Sequence, residues 1–267
     1  MTKPQISLIG IPTDHHSSYL RGPARAPAAI RAALASDHGN NATERGTEIG
    51  DDIDLIDAGD VRIDENHTDD ERICEAVGHR AGPLIALGGD HSITFPVVQS
   101  LAAKHGAFDI LHFDAHPDLY DSLGGDRRSH ASPFARIMES GCATRLVQVG
   151  IRTLNRHNRE QAQRFGVEII EARHFQDDWQ PIFKRPLYVS IDLDAFDPAF
   201  APGVSHHEPG GLSVRQVVNI LLALDTPIIG GDVVELNPDR DIHGMTAVLA
   251  AKLVKELAAA ITANHPR

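Results

Sequence analysis

Cysteine is scarce in this sequence, and long apolar runs are missing from it. Only Cys74 and Cys142 occur among the 267 residues, and neither belongs to a CxxC pair. The sequence therefore argues against a disulfide framework and against a zinc site built from cysteine, and it is typical of a reducing compartment. The apolar stretch at residues 6–11 is too short for a signal-peptide core or a membrane span. From these features we expect a cytoplasmic protein that does not engage a membrane.

Positive charge is also in the minority. The chain has 25 Lys and Arg residues against 37 Asp and Glu residues, which gives a formal net charge of -12 at pH 7. A chain of this sign repels nucleic acid and anionic membranes, so we expect neither as a partner. The charged and hydrophobic fractions, 23% and 42%, are those of an ordinary globular protein. The acidic balance weakly favours a cationic small molecule as the substrate.

Short runs rich in β-branched residues alternate with helical patterns along the chain. The predicted strands are 6–11, 53–56, 84–87, 110–113, 146–149, 167–170, 187–191 and 228–234. The predicted helices are 24–34, 94–105, 132–141, 213–224 and 245–262, of which the third and fourth begin at a Ser cap. Strands that are apolar throughout indicate a parallel sheet covered on both faces. We therefore expect an α/β fold, a three-layer α/β/α arrangement with a mostly parallel sheet of about eight strands, as a single domain over residues 1–267.

Histidine is plentiful, with sixteen residues, and a few of these lie where a parallel sheet binds ligands. In open α/β sheets, ligands bind beyond the carboxyl ends of the strands. Residues two apart remain on one face as the chain leaves a strand, so their side chains converge. Imidazole and carboxylate groups at three predicted strand ends meet these conditions: His91, Asp114, His116, Asp118, Asp192 and Asp194.

Such a set of side chains predicts a metal site. Four carboxylates in one pocket repel each other unless cations lie between them. Mixed oxygen and nitrogen donors suit Mn²⁺ or a neighbouring divalent ion, and two such ions activate water for hydrolysis. Each segment alone is also typical of a strand-to-loop turn, a calcium loop or a capping residue. The agreement of three separate strand ends favours two metal ions and a hydrolase.

Longer motifs resemble the ureohydrolase family, which includes arginases, agmatinases and formiminoglutamases. The most specific are His112-Phe-Asp-Ala-His-Pro-Asp118, the stretch Ser190-Ile-Asp-Leu-Asp-Ala-Phe-Asp-Pro198, and Val233-Val-Glu-Leu-Asn-Pro238. The middle of the chain, with Ser129-His-Ala-Ser132 and Gln148-Val-Gly-Ile-Arg152, is most similar to plant-type arginases. The resemblance extends nearly from end to end and implies an arginase-like fold.

The resemblance also implies a role for each candidate residue. One Mn²⁺ would be held by His91, Asp114, Asp118 and Asp192, and the other by Asp114, His116, Asp192 and Asp194, so that Asp114 and Asp192 bridge. Ni²⁺ or another divalent ion is an alternative. His130 matches the family's acid/base histidine, which protonates the leaving amine. Glu235 matches the carboxylate that binds the guanidinium, and Asp118 counts with these two among the catalytic residues.

The substrate is less sharply indicated than the reaction. Arginine is favoured, with agmatine or another guanidino acid as the alternative. We expect His206 and Asn155 to contact the substrate, and Arg152, Arg127 or Arg128 to meet a substrate carboxylate. Family members assemble as trimers or hexamers, so a homo-oligomer is expected.

Two functions from other classes are less favoured. A non-catalytic metal-binding subunit should have lost a ligand or the acid/base residue, and neither is lost here. A binuclear metallophosphatase should carry a further Gly-Asn-His-Asp type segment and a downstream His-x-His, which are not present.

Overall fold

The computed structural model describes residues 3–264, in which strands alternate with helices. The strands are β1 (Gln5–Ile11), β2 (Asp54–Asp60), β3 (Leu84–Gly88), β4 (Phe108–Phe113), β5 (Ala143–Ile151), β6 (Glu168–Glu171), β7 (Leu187–Asp192) and β8 (Ile228–Val234). The helices are α1 (Ala26–Leu34), α2 (Asp69–Gly78), α3 (Thr94–His105), α4 (Pro133–Ser140), α5 (Arg156–Phe165), α6 (Val214–Ala223) and α7 (Met245–Ala263). None of the helices in this part of the chain is both long and apolar enough to cross a membrane.

The strands form one sheet in the order β2-β1-β3-β8-β7-β4-β5-β6. Every neighbouring pair is parallel, so the sheet is parallel throughout rather than mostly parallel. All residues of β3, β4 and β7 are buried, because both faces of the sheet are covered. The expected α/β fold with about eight strands is confirmed.

Helices cover the two faces as two separate layers. Helices α1, α6 and α7 pack against one face through residues such as Ile30, Leu221 and Leu253. The opposite face packs against α2, α3 and α4, with Val77 and Leu101 among the buried side chains. Each layer buries its own apolar cluster, and burying one Leu or Ile side chain contributes about 1.5–3 kcal/mol. The sheet is thus a rigid base for whatever extends from its strand ends.

The helix predictions are confirmed in part. Ser213 caps α6 with a full capping box, in which Ser213 and Gln216 exchange side-chain to backbone hydrogen bonds. Ser132 is the N-cap residue of α4 as expected, although its side chain makes no capping hydrogen bond. The sequence patterns predict neither α2 nor α5. These helices bury few apolar side chains, Ile73 and Val77 in one and Ala162 in the other, which weakens the periodic signal.

Candidate metal centre

The carboxyl ends of β3, β4, β7 and β8 surround a cavity of about 250 Å³. Most of the predicted site residues line it: His116, Asp118, His130, Asp192, Asp194, His206 and Glu235. His91 and Asp114 lie immediately beneath, with no exposed surface. The four strands are consecutive neighbours in the sheet, in the order β3-β8-β7-β4, so residues distant in sequence meet here. All six predicted ligands are brought together.

The turn after β7 shows how the local sequence presents two carboxylates. Asp192 ends the strand, and its Oδ1 accepts a hydrogen bond of 2.7 Å from the backbone N–H of Asp194. That bond caps the short helical turn Leu193–Ala195. The second oxygen of Asp192, Oδ2, lies 3.2 Å from Nδ1 of His91. Asp192 therefore caps a turn with one oxygen and faces the candidate site with the other.

The hydrogen bonds around His91 define which of its ring nitrogens carries a proton. Ser190 Oγ donates to Asp232 at 2.7 Å, so it accepts from Nε2–H of His91 at 2.9 Å. Nδ1 has no hydrogen-bond partner within residues 3–264, and it faces carboxylate oxygens of Asp114, Asp118 and Asp192 at 3.1–3.2 Å.

A nitrogen lone pair that faces three carboxylates calls for a cation between them. Burial disfavours the charged imidazole, yet the carboxylates of Asp114, Asp118 and Asp192 raise the pKa of His91 well above its usual range. A metal ion meets the same electrostatic demand without adding a proton, and imidazole Nδ1 with carboxylate oxygens is a common donor set. The residues present therefore fit a bound divalent ion.

Asp114 is shared between two groups of donors. Its Oδ2 lies 3.2 Å from Nδ1 of His91, and its Oδ1 lies 3.4 Å from Nδ1 of His116. His116 Nδ1 is also 3.0 Å from Oδ2 of Asp194. Burial raises the pKa of Asp192 well above its usual range, and the nearby charges of Asp194 and Asp114 add to this effect. Such crowding of carboxylates is stable only where positive charge is supplied.

His112 supports Asp114 from below, a role that sequence reasoning missed. Gln148 Nε2 donates to Nδ1 of His112 at 3.0 Å, so Nε2–H of His112 donates to Oδ2 of Asp114 at 2.8 Å. Burial lowers the pKa of His112, which keeps the ring neutral. His112 lies two residues before Asp114 on the same face of β4, and this spacing was the available signal.

His130 and Glu235 form a buried pair at the wall of the cavity. His130 Nδ1 lies 2.8 Å from Oε1 of Glu235, which also accepts the backbone N–H of His91 at 2.8 Å. Burial opposes the charged form of each group. The carboxylate nevertheless raises the pKa of His130 to about 9, and the imidazole holds the pKa of Glu235 below its usual range.

Asp118 and Glu235 share an unusual backbone conformation. Their φ angles are 50° and 66°, in the left-handed region that non-glycine residues rarely adopt. Left-handed residues of this kind concentrate at functional sites, where surrounding structure holds them in place. The backbone thus turns sharply at two of the three residues expected to be catalytic.

Of the two expected substrate contacts, His206 faces the cavity and Asn155 does not line it. The His206 ring is 5.3 Å from that of His130, and burial lowers its pKa, which favours the neutral ring. Asn155 caps α5 through its side-chain oxygen, and its side-chain nitrogen donates to the Tyr120 hydroxyl. Tyr120 and Asn158 line the cavity instead. Asn155 therefore contacts Tyr120, a lining residue, instead of the cavity itself.

The three arginines expected near a substrate carboxylate have other partners. Arg152 donates to backbone carbonyls, including those of Asp194 and Glu208. Arg127 pairs with Asp121 and Glu139, while Arg128 pairs with Asp70 and lies over the Phe95 ring. None of the three lines the cavity, so this expectation is wrong. Arg152 instead ties the loop that holds Glu208 to the end of β7.

Similarity to known proteins extends over almost the whole chain. The sequence pattern of the Arginase family matches residues 4–260. The chain belongs to the arginase family. Arginase 1, mitochondrial, of Arabidopsis thaliana is 50% identical, over 97% of this chain and 82% of the relative. The structure of the arginase from Medicago truncatula superposes with a TM-score of 0.91 at 47% identity, covering 97% of this chain and 87% of that one.

A further relative carries a different substrate in its name. The N(1)-aminopropylagmatine ureohydrolase of Thermus thermophilus is 37% identical, over 94% of this chain and 88% of its own. The higher identity to plant arginases confirms the resemblance to the plant type seen in the motifs. The chain is thus more similar to these plant arginases than to the Thermus thermophilus ureohydrolase.

The names of the relatives also correct the expected location. The Arabidopsis thaliana and Medicago truncatula relatives are both named as mitochondrial arginases. They point to an organelle, and the expectation of a cytoplasmic protein is wrong. Its basis was the shortness of apolar runs and the scarcity of cysteine, which test for membrane insertion and disulfides but not for import into an organelle.

Proposed function

We propose that this chain is a binuclear-metal ureohydrolase that hydrolyses arginine to ornithine and urea. The observation that carries this proposal is the position of Asp114, whose two oxygens face His91 on one side and His116 on the other. Membership of the arginase family and about 50% identity to plant arginases support the same activity.

Two Mn²⁺ ions are the proposed cofactor, with Ni²⁺ or another divalent ion as the alternative. His91, Asp114, Asp118 and Asp192 would hold one ion, and Asp114, His116, Asp192 and Asp194 the other. Oxygen-rich sites with one imidazole suit Mn²⁺ better than the sulfur-rich sites of structural zinc. When bound, the two ions supply Lewis acidity and lower the pKa of a water towards neutrality.

Glu235 binds and orients the guanidinium of the substrate. Both side-chain hydrogen bonds of Glu235 to residues of the described part of the chain use Oε1, which leaves Oε2 for a substrate, and Glu235 lines the cavity. A carboxylate and a planar guanidinium form charge-assisted hydrogen bonds with a defined direction. The bond of Glu235 to the His91 backbone ties this substrate contact to a proposed metal ligand.

His130 supplies the proton that the leaving amine requires. An unprotonated amide anion is a very poor leaving group, and a positioned acid contributes about 10²–10⁴-fold in rate. With its pKa raised to about 9 by Glu235, although burial opposes this, His130 keeps its proton at neutral pH. Asp118 stands in the same wall and belongs to both the proposed ligand set and the catalytic set.

The tail of the substrate lies among Tyr120, Thr153, Asn158 and Glu208 in this proposal. Glu208 offers a carboxylate to a tail ammonium group, and its Oε1 lies 3.8 Å from Nε2 of His116. Tyr120 and Asn158 offer neutral hydrogen-bond donors to a carboxylate, whereas the Thr153 hydroxyl already donates to the backbone carbonyl of Ala115. The ring of His206 lies 5.9 Å from that of His116 and 5.3 Å from that of His130.

Agmatine is the second candidate, and one observation favours it. The side chains that line the cavity include no Lys or Arg among the described residues, so a substrate carboxylate meets no positive charge there. Agmatine carries no carboxylate. The test is urea release from arginine, agmatine and 4-guanidinobutyrate by enzyme stripped of metal and reloaded with Mn²⁺, Ni²⁺ or Zn²⁺. A tenfold preference for agmatine would reverse the order, and no urea from any substrate would favour a non-catalytic subunit.

We further propose that residues 1–267 form one ureohydrolase domain that assembles as a homo-oligomer, a trimer or a hexamer. The family match over residues 4–260 and the single continuous sheet support one domain. Light scattering coupled to size-exclusion chromatography would report the number of subunits.

A further inference from the structure

The His130 ring is held from both sides, and the second partner comes from a distant loop. Its Nδ1 faces Glu235 at 2.8 Å. Its Nε2 lies 2.8 Å from Oγ of Ser18 and 3.1 Å from the backbone nitrogen of Ser18. Ser18 lies in the loop that follows β1 and lines the cavity, 112 residues before His130 in sequence.

The backbone contact of Ser18 defines the protonation state of the ring in this geometry. A backbone N–H can only donate, so Nε2 of His130 presents its lone pair to Ser18. The single proton of the neutral imidazole is then on Nδ1, where it is donated to Glu235. This hydrogen-bond pattern fits neutral His130, which is the form that remains after a proton has been released.

As an acid, His130 must carry its second proton on Nε2. The Ser18 amide then becomes an unfavourable neighbour, because two N–H groups face each other. The Ser18 hydroxyl can rotate and accept the new N–H, since a hydroxyl both donates and accepts. Oγ is therefore the group that can satisfy Nε2 in both protonation states.

We propose that Ser18 is a positioning residue that holds the proton-donating nitrogen of His130 in both of its states. The proposal rests on the ureohydrolase function proposed above. In the step concerned, the proton moves from Nε2 to the departing nitrogen, which keeps the electron pair of the broken C–N bond. The imidazole returns to its neutral form, and the Ser18 hydroxyl and amide donate to it again.

Other groups around His130 also act on its charge. The carboxylates of Glu235, Asp90 and Asp118 favour the charged ring, while burial and the neighbouring His206 disfavour it. Ser18 differs from all of these because it contacts Nε2 directly. Its removal takes away the acceptor and leaves the amide, so protonated His130 is destabilised and its pKa falls.

The first test compares Ser18→Ala with Ser18→Thr, which keeps the hydroxyl, in enzyme loaded with Mn²⁺. Urea release from arginine and agmatine is measured from about pH 6 to pH 10. In Ser18→Ala we expect kcat to fall about tenfold at its optimum, KM to stay within about twofold, and the alkaline limb of kcat to move down by about one pH unit. Because the activity depends on protonated His130, a lower pKa of His130 means that the activity is lost at a lower pH. Ser18→Thr should restore the limb.

Ser17→Ala is the matched control. Ser17 is in the same loop, but its hydroxyl donates to Asp90 at 3.2 Å and not to His130. The control should keep the wild-type alkaline limb. An unchanged limb in Ser18→Ala, or an equal change in both variants, would overturn the proposal.

A second readout does not depend on turnover. NMR titration of the ring nitrogens in Zn²⁺-loaded protein gives the pKa of His130 directly, with the resonance assigned by its loss in His130→Asn. A lower pKa in Ser18→Ala supports the proposal even if the wild type releases no urea, in which case the ureohydrolase function alone fails. An equal pKa in both proteins contradicts the role of Ser18.

Discussion

The two ends of the cavity differ in how they are built. One end, which we call the ligand end, is formed by the candidate metal ligands. There His91 and Asp114 are fully buried just beyond strand termini, and hydrogen bonds to Ser190 and His112 orient them. At the other end, which we call the tail end because the proposed substrate tail would lie there, Glu208 is in a loop with 39% of its side chain exposed. Rigid strand ends suit chemistry that needs exact placement, while loops vary more easily. We therefore expect the strand ends to determine the reaction and the loops around them to determine which substrate binds.

We expect the largest effect from replacing Asp114, whose carboxylate faces His91 on one side and His116 on the other. Asp114→Asn should lose metal and reduce kcat by more than about 100-fold. Replacing a residue that only orients a metal ligand already lowers metal affinity or activity by about 10–100-fold. Metal content by mass spectrometry and urea release would measure both. Asp109→Asn is the control, since Asp109 is buried at the other end of β4, where it accepts from Thr144. Near-normal urea release with one metal bound would contradict the ligand assignment.

We expect a large loss of rate without loss of metal when His130, which lines the cavity beside Glu235, is replaced. His130→Asn should reduce kcat by about 10²–10⁴-fold, the range for a positioned acid. Its metal content should match the wild type, because His130 contacts Glu235 and Ser18 rather than the proposed ligands. Loss of metal in this variant would instead place His130 in the ligand end.

A smaller effect is expected from the residue behind His91. Ser190→Ala removes the hydroxyl that accepts Nε2–H of His91 and donates to Asp232. The affinity for metal should fall about 10–100-fold, the usual cost of losing such an orienting partner. Titration of metal-free enzyme with Mn²⁺, followed by urea release, would show whether full activity returns at high metal concentration. A rate that stays low at saturation would mean that Ser190 affects more than metal affinity.

The smallest effect should lie at the tail end. Glu208→Gln should reduce the preference for arginine over 4-guanidinobutyrate by about fivefold, as a partly exposed charge pair contributes up to about 1 kcal/mol. The ratio of kcat/KM for the two substrates measures this. Glu160→Gln, an exposed position on α5, is the control. If Glu208→Gln lost metal instead, Glu208 would belong to the ligand end through His116, and the comparison between the two ends would fail.

The sequence predicts the sheet better than the helices that cover it. Strands buried on both faces are apolar throughout, so their runs are visible in one sequence. Helix α5 buries only Ala162 among its apolar residues, and α2 buries Ile73 and Val77, so neither has a strong periodic pattern. End signals were present, since Asn155 caps α5 and Gly166 follows it in a left-handed conformation.

The same division holds within the site. The candidate ligands follow strands at a spacing of two, which a sequence shows directly. Ser18 and Glu208 reach the cavity from loops, and their positions depend on tertiary contacts such as the bonds from Arg152 to the Glu208 carbonyl. Arg152 itself was expected to bind substrate, because a sequence does not reveal that backbone carbonyls already use its donors.

The place of β8 in the sheet has a consequence for how the protein is made. β8 is the last strand within residues 3–264, yet it lies in the middle of the sheet between β3 and β7. On the ribosome, β3 and β7 therefore emerge without the strand that joins them, and two unpaired edges stay open to aggregation. The six candidate ligands are all synthesised before β8. Five of them lie at the ends of β4 and β7, which are neighbours in the sheet, whereas His91 follows β3 and reaches the others only once β8 has inserted. The ligand set proposed for the ion at His91 is therefore completed only after β8 has been made.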